Sequence, residues 1–417
     1  MDQKFFERQK GVLCCEGLSL EALANEFGTP LYVYSASHLK ERFNSLHEAL
    51  KDYPHINCYA VKANSNLSIL KLLAKEGAGF DIVSGGELYR VKTAGAPTSR
   101  CVYAGVGKSE AEIKFALENG ILYFSIESQP ELERINNVAT KLGCKAPIAI
   151  RVNPNVDAHT HAYITTGKSE NKFGLDFETA EKLYKEIGSK YAALEAVAVQ
   201  MHIGSQITET TPYKMAVEKV ATFAKKIIAA GAALKYFDVG GGLGIVYSDE
   251  KPATPKEFVE AVLPFIAPLG LTFVSEMGRF VCGNAGVLLA KIEYVKKNPD
   301  KTFVITNAAM NDLLRPALYG AHHEISAVAE KAGEDVVCDV VGPVCESGDF
   351  FGKDRTLKAP KEGEIICLHS AGAYGFTMSS NYNTRNRPAE VLVENGKAKL
   401  IRRRDTWEDQ VRQEQEI

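Results

Sequence analysis

No Cys-x-x-Cys pair occurs in this chain, although it holds nine cysteines. Apart from Cys14-Cys15 they are scattered singly, and their number is odd, so they read as reduced thiols rather than a disulfide framework or a thiolate zinc site. There is no G-x-x-x-x-G-K-[ST] loop for a nucleoside triphosphate. The one glycine run, Gly240-Gly241-Gly242-Leu243-Gly244, fails as a G-x-G-x-x-G, because the sixth positions counted from Gly240 and Gly242 are Ile245 and Tyr247. Blocks of like charge and low-complexity segments are missing too. No apolar run is long enough to span a bilayer, and the first eight residues, Met1 to Arg8, lack the apolar stretch of a secretion signal. These absences lead us to expect a cytoplasmic protein. A net charge of -3 gives no reason to expect nucleic acid or an anionic membrane as partner.

What the chain does have is the composition of a globular enzyme, 45% hydrophobic and 24% charged, and a length of 417 residues that predicts two domains. From about residue 55 to 280, short apolar runs alternate with helical spacing. The predicted strands are Ile56–Val61, Phe80–Val83, Cys101–Ala104, Leu122–Ile126, Ile148–Val152, Val197–His202, Tyr236–Val239 and Thr272–Glu276. Leu67-Ile69-Leu70-Leu72-Leu73 and Val217-Val220-Phe223-Ile227-Ile228 are helical stripes between them. Eight such units predict a parallel (β/α)8 barrel, with an open doubly wound sheet as the structural rival. Beyond about residue 285 strands dominate: Val287–Val295, Thr302–Thr306, Val336–Val341, Glu364–His369, Glu390–Val393 and Lys399–Arg402. Asn395-Gly396 supplies the hairpin turn between the last two. The expected division is a barrel over 36–282 and an all-β domain from 283–417, joined by residues 1–35 with their strand Leu31-Tyr32-Val33-Tyr34.

Distinctive polar residues and glycines gather where such barrels build active sites, at the C-terminal ends of the strands. Lys62 follows the first strand, Ser84-Gly85-Gly86-Glu87 the second and Asn153 the fifth. His202-Ile203-Gly204-Ser205 follows the sixth, the glycine run the seventh, and Glu276-Met277-Gly278-Arg279 the eighth. A lysine at the mouth of a core has an amine that desolvation or neighbouring charge can free for covalent chemistry; alone, it would read as a solvated surface lysine. The glycine turn lets backbone N–H groups approach a phosphate, although glycines serving only a sharp turn would look the same. Asp157-Ala158-His159-Thr160-His161 contains an H-x-H that could ligate a metal, but no carboxylate and lysine set completes a binuclear site, so no metal is expected.

Taken together, Tyr59-Ala60-Val61-Lys62-Ala63-Asn64, Val83-Ser84-Gly85-Gly86-Glu87-Leu88, His202-Ile203-Gly204-Ser205-Gln206, the glycine run and Cys345-Glu346-Ser347-Gly348-Asp349 resemble a known family. They closely resemble the pyridoxal-phosphate-dependent decarboxylases of alanine-racemase-like fold (fold type III), and among these the diaminopimelate decarboxylases. The resemblance runs through nearly the whole chain with its motifs in order. It implies pyridoxal 5'-phosphate as cofactor, meso-diaminopimelate as substrate, L-lysine and CO2 as products, and a homodimer with shared active sites. It also implies roles. Lys62 would bind the cofactor covalently with Asp81 near it, and His202 would stack on the ring. Ser205, Gly240, Gly241, Gly242, Gly278 and Tyr374 would hold the phosphate, with Arg279 also in the cofactor site, and Glu276 would bond the ring nitrogen. Arg279, Arg315 and Tyr319 would bind the substrate's distal carboxylate, Glu346 its distal amine, and Tyr374 would touch both molecules. Cys345 would return a proton after CO2 leaves. Met277 departs from the pattern, the family usually having proline there, and the expected effect is a loss of rigidity, not of chemistry.

The residue chemistry supports the same reading. Decarboxylation leaves an electron pair that the cofactor ring must absorb, and an acid at the ring nitrogen keeps that nitrogen protonated. Alanine racemases pair the nitrogen with arginine, so the acid at 276 argues for decarboxylation. Two arginines suit a carboxylate and Glu346 suits an ammonium, so a substrate with an amino-acid group at each end fits both. Decarboxylases of ornithine, arginine or carboxynorspermidine are the rival enzymes. An inactive, family-derived binding protein is the rival of another class, and it would be expected to lose Lys62 or Cys345.

Overall fold

The computed structural model describes residues 4–157 and 172–415. Its internal contacts divide the chain into two units, one of Arg42–Ile245 with Lys251–Phe280, the other of Met1–Glu41, Val246–Glu250 and Val281–Ile417.

The first unit is built on a closed barrel of eight parallel strands: His55–Ala60, Gly79–Ile82, Cys101–Tyr103, Tyr123–Ile126, Ala146–Arg151, Leu194–Gln200, Tyr236–Asp238 and Thr272–Met277. Closure is direct, since Glu276 of the last strand pairs with Cys58 of the first. The open doubly wound alternative is thereby excluded. Strands two, three and four are buried along their whole length, as expected for continuous apolar segments covered on both faces. Cys58, Val102, Tyr123, Ala149, Ala198 and Val274 pack into a common cluster.

The intervening helices begin where the sequence provides caps. Asn66 Oδ1 accepts the Ser68 N–H ahead of Leu67–Lys75, and Ser84 Oγ accepts the Glu87 N–H ahead of Gly85–Thr93. Reciprocal capping boxes at Ser109/Glu112 and Thr254/Glu257 start two more, satisfying N–H groups that the first turn leaves unpaired. The His159/His161 segment lies outside the described residues. No described helix is long and apolar enough to cross a membrane.

The second unit carries a sheet whose main path runs Phe350–Lys358, Asp335–Val341, Thr302–Thr306, Gly286–Lys297, Leu31–Ser35, Ala389–Glu394 and Lys397–Arg402. Ile365–Leu368 joins it beside Gly286–Lys297 and in turn pairs Ile325–Ala327. The N-terminal strand Leu31–Ser35 is central, pairing antiparallel with one neighbour and parallel with the other. Asn395 and Gly396 both take positive φ, at 51° and 69°, which is the two-residue turn their identities favour. Leu13, Leu23, Leu31, Val33, Leu289 and Val391 belong to the core of this unit. It is not wholly β: Leu20–Phe27, capped by Ser19, and the short helices Arg315–Tyr319 and Trp407–Val411 interrupt the strands.

Candidate active site

Lys62 sits in a tight turn, Val61–Ala63, directly after the first barrel strand. The turn is tied down by the Tyr59 hydroxyl, which donates to Asn64 O at 3.0 Å. Register puts Asp81 beside Ala60, and Lys62 Nζ forms an ion pair with Asp81 Oδ2. Asp81 is completely buried, while its Oδ1 has no hydrogen-bond partner among the described residues. Glu87, at the start of the helix after strand two, accepts the Val83 N–H at 2.7 Å. Burial pushes its carboxyl up to about 7, against the opposing charge of Lys62.

Two strands round the barrel from the lysine, the rim carries a backbone cradle. Gly240 and Gly242 have φ of +70° and +108°, accessible to glycine at little cost. A Cβ on Gly240, Gly241 or Gly242 would lie 2.4 Å from Met201 O, 2.1 Å from Glu276 O or 2.2 Å from Gly204 O, so no side chain fits. Two of the turn's N–H groups are already committed: Gly240 donates to Asp238 Oδ1 at 2.8 Å and Gly241 to His202 Nδ1 at 3.1 Å. The second bond requires a lone pair on Nδ1. Burial, with Arg151 and Lys62 nearby, holds the His202 imidazole well below its usual range and therefore neutral. Ser205 Oγ accepts from Arg279 Nε and Nη2 at 3.3 and 3.1 Å, which sets that guanidinium beside a residue expected to hold phosphate. Gly278 leaves room next to the lysine turn, as a Cβ there would be 2.9 Å from the Ala60 Cβ and 3.0 Å from that of Ala63. Met277 is the last residue of strand eight, buried opposite Tyr59, so the position is a ladder end and not the turn that a proline would imply.

Glu276 closes the barrel interior at this rim. It is 7% exposed, and burial together with the charges of Asp238 and Asp81 pushes its carboxyl well above the usual carboxylate range. Gln200 Nε2 approaches its two oxygens at 3.5 and 3.4 Å. Asp238 and Gln200 were not among the expected site residues, and Glu87 was expected at the rim without a role. The available signal was an acid or amide inside an otherwise apolar strand, as in Tyr236-Phe237-Asp238-Val239.

The remaining expected residues belong to the β unit, on three separate segments. Arg315 and Tyr319 bound one helix; the Arg315 guanidinium is buried, 2.8 Å from His323 Nε2 and 4.6 Å from the Tyr247 ring centre. Cys345 and Glu346 are exposed on the loop before Phe350–Lys358, where Cys345 N donates to Asn383 Oδ1 at 3.0 Å and Glu346 Oε2 accepts the Tyr382 hydroxyl at 2.8 Å. Tyr374 is half-buried with a positive φ of 56°.

Residues 36–283 match the family model described as "Pyridoxal-dependent decarboxylase, pyridoxal binding domain". The chain belongs to the pyridoxal-dependent decarboxylases. Within this family it is 49% identical over 405 residues to a diaminopimelate decarboxylase of Aquifex aeolicus, covering 97% of this chain and 96% of the relative. It is similar in structure to diaminopimelate decarboxylase from Helicobacter pylori complexed with L-lysine, with a TM-score of 0.92, 44% identity, and 95% and 99% of the two chains covered. The M. jannaschii enzyme in co-complex with L-lysine superposes with a TM-score of 0.93 at 37% identity, covering 99% and 98%. The expected fold and family are thus borne out. The residues fit the family's cofactor: an amine at the rim, a neutral imidazole, a side-chain-free cradle for a phosphate and a buried acid, in that order along the chain.

Proposed function

We propose that this chain decarboxylates meso-diaminopimelate at its D-centre, giving L-lysine and CO2, as a cytoplasmic homodimer using pyridoxal 5'-phosphate. The observation that carries the reaction type is Glu276, a buried acid on the strand that closes the barrel beside the Lys62 strand. The substrate rests on the near full-length similarity to diaminopimelate decarboxylases, 49% identical in the Aquifex aeolicus case. The D-centre follows from the family resemblance.

When bound, the cofactor supplies a conjugated cationic ring that absorbs the electron pair left by departing CO2. Lys62 supplies the amine that attaches it, and Asp81 keeps that amine oriented through the ion pair. Glu276 would pair with the ring nitrogen, where its negative charge in a buried setting would favour the protonated form. His202, neutral and fixed by Gly241, offers its ring face without adding charge that would oppose a cationic ring. Ser205, Arg279, Gly278, Tyr374 and the glycine turn hold the phosphate, with the Gly240 and Gly241 N–H groups shaping the turn. Arg279, Arg315 and Tyr319 recognise the distal carboxylate, and Glu346 the distal ammonium. Cys345 donates the proton that replaces the carboxylate. Cys345 and Glu346 are exposed in the single chain, which supports a two-fold dimer in which each subunit covers and completes its partner's site.

The test is product analysis. The purified protein loaded with cofactor is given meso-diaminopimelate, ornithine, arginine and carboxynorspermidine separately, with CO2 and amine products measured. Equimolar lysine and CO2 from diaminopimelate, at the highest kcat/KM of the panel, is expected. A better rate with any other substrate overturns the substrate while leaving the class in place.

A further inference from the structure

The seventh barrel strand carries an acid, Asp238, into the barrel interior, and none of the roles above uses it. It is completely buried. Its oxygens are both held by fixed donors, the Tyr123 hydroxyl on Oδ2 and the Gly240 N–H on Oδ1, each at 2.8 Å. Tyr123 is itself buried, and burial with the Asp238 charge pushes its ionisation well up, so it remains a donor. Register sets Asp238 opposite Gln200 on one side and Val274 on the other. Glu276 lies two residues beyond Val274, hence on the same face of its strand, and its N–H donates to Gly240 O at 2.8 Å. Among the described residues the Glu276 carboxyl is hydrogen-bonded only to the Gln200 amide, at 3.4 and 3.5 Å, and to Asp238.

Two neighbouring buried carboxyls cannot both ionise cheaply, and the one supplied with donors keeps the charge. We propose that Asp238 is a positioning residue: it stays an anion and keeps a proton on Glu276 while the cofactor site is empty, so that loading removes one proton from the pair. The inference rests on the assignment of Glu276 to the ring nitrogen. The balance is simple. Glu276 changes from carboxylic acid to carboxylate; its proton passes to the ring nitrogen if that arrives unprotonated, and to solvent if it arrives protonated. The other groups acting on the pair are Asp81, Lys62, Cys58 and Tyr123. Burial raises both acids, Asp238 to about 7 and Glu276 well above its usual range; donors from Gly240 and Tyr123 and the bond to Glu276 restrain the rise in Asp238. One net charge then separates the states at pH 8.

The test is infrared difference spectroscopy at pH 8 between the cofactor-free and loaded protein, unlabelled and with carbon-13 in the glutamate carboxyls. Protons exchanged on loading are counted by calorimetry in buffers of different ionisation enthalpy. The unmodified protein should lose one protonated-carboxyl C=O band on loading, and that band should shift with the glutamate label. Asp238→Asn removes the charge while keeping the shape and one acceptor, its Oδ1 for the Gly240 N–H, and its amide can donate to the Tyr123 oxygen once that hydroxyl turns. It should show no such loss and release one proton fewer per site, and Glu276→Gln should also lack the band. If Asp238→Asn keeps the full band and proton count while Glu276→Gln abolishes the band, Asp238 has no such role and the Glu276 assignment stands. A lost band that ignores the label overturns the proposal by placing the proton on aspartate, without need of a variant. No loss in the unmodified protein overturns it as well. A loss that persists in Glu276→Gln overturns both the proposal and the assignment beneath it.

Discussion

Glu276 and Glu346 are both glutamates assigned to a cationic partner, and the fold treats them differently. Glu276 lies next to the end of a barrel strand, is 7% exposed, and is approached by the Gln200 amide of the same unit. Glu346 lies exposed on a loop of the β unit, held by the Tyr382 hydroxyl at 2.8 Å. A charge in water is worth little to a ligand, whereas the same charge in a dry site is worth several kcal/mol. On our proposed reading the barrel half of the site is therefore built in, whereas Cys345 and Glu346, exposed in the single chain, would gain strength only when something covers them. The second subunit is the cover our reading supplies.

Breaking the built-in half should have the largest effects. Lys62→Ala removes the amine, so turnover should fall to background and the visible absorbance of lysine-bound cofactor should vanish, while circular dichroism stays native. Normal turnover in that variant would end the assignment. Glu276→Gln keeps the shape and loses the charge. Its kcat should drop on the order of 10²- to 10³-fold with cofactor retained, as for loss of a preorganised charge contact. An unchanged kcat would place the ring-nitrogen partner elsewhere.

The covered half should respond through binding instead. Arg315→Ala and Glu346→Ala should each raise KM for diaminopimelate by roughly tenfold to a hundredfold, from an unpaired charge in a desolvated contact. A pure loss of kcat in Glu346→Ala would show that the residue does not bind the distal amine. The smallest effect expected is on stability. Gly242→Ala forces a Cβ to within 2.2 Å of Gly204 O at a φ of +108°, which should cost about 1–3 kcal/mol and lower the melting temperature by a few degrees. An unshifted melting curve would mean the cradle is more pliable than the barrel around it.

The barrel strands were legible because each is a short apolar run: Phe80–Val83 was expected and Gly79–Ile82 is found. The β unit was less so. Phe350–Lys358 escaped notice since Lys353, Asp354 and Arg355 break the apolar pattern of a strand with one exposed face, and Ile325–Ala327 is too short to register. In the site, Lys62 and the glycine turn stood out because their chemistry is local. Asp238 did not, as its role depends on Tyr123, 115 residues away and brought near by the barrel and not by spacing along the chain. Resemblance supplied the roles of Cys345 and Glu346; no periodicity in the loop around them marks it as part of a site.

The claim that the site has two halves from two chains is tested most directly by subunit mixing. Lys62→Ala and Cys345→Ala proteins, each inactive alone, are co-refolded or allowed to exchange, and heterodimers are confirmed by native mass spectrometry. In a shared-site dimer each heterodimer holds one site with both residues intact, so random exchange should restore roughly a quarter of wild-type activity. A mixture that stays inactive although heterodimers have formed would place Lys62 and Cys345 of each site in the same chain and contradict the account.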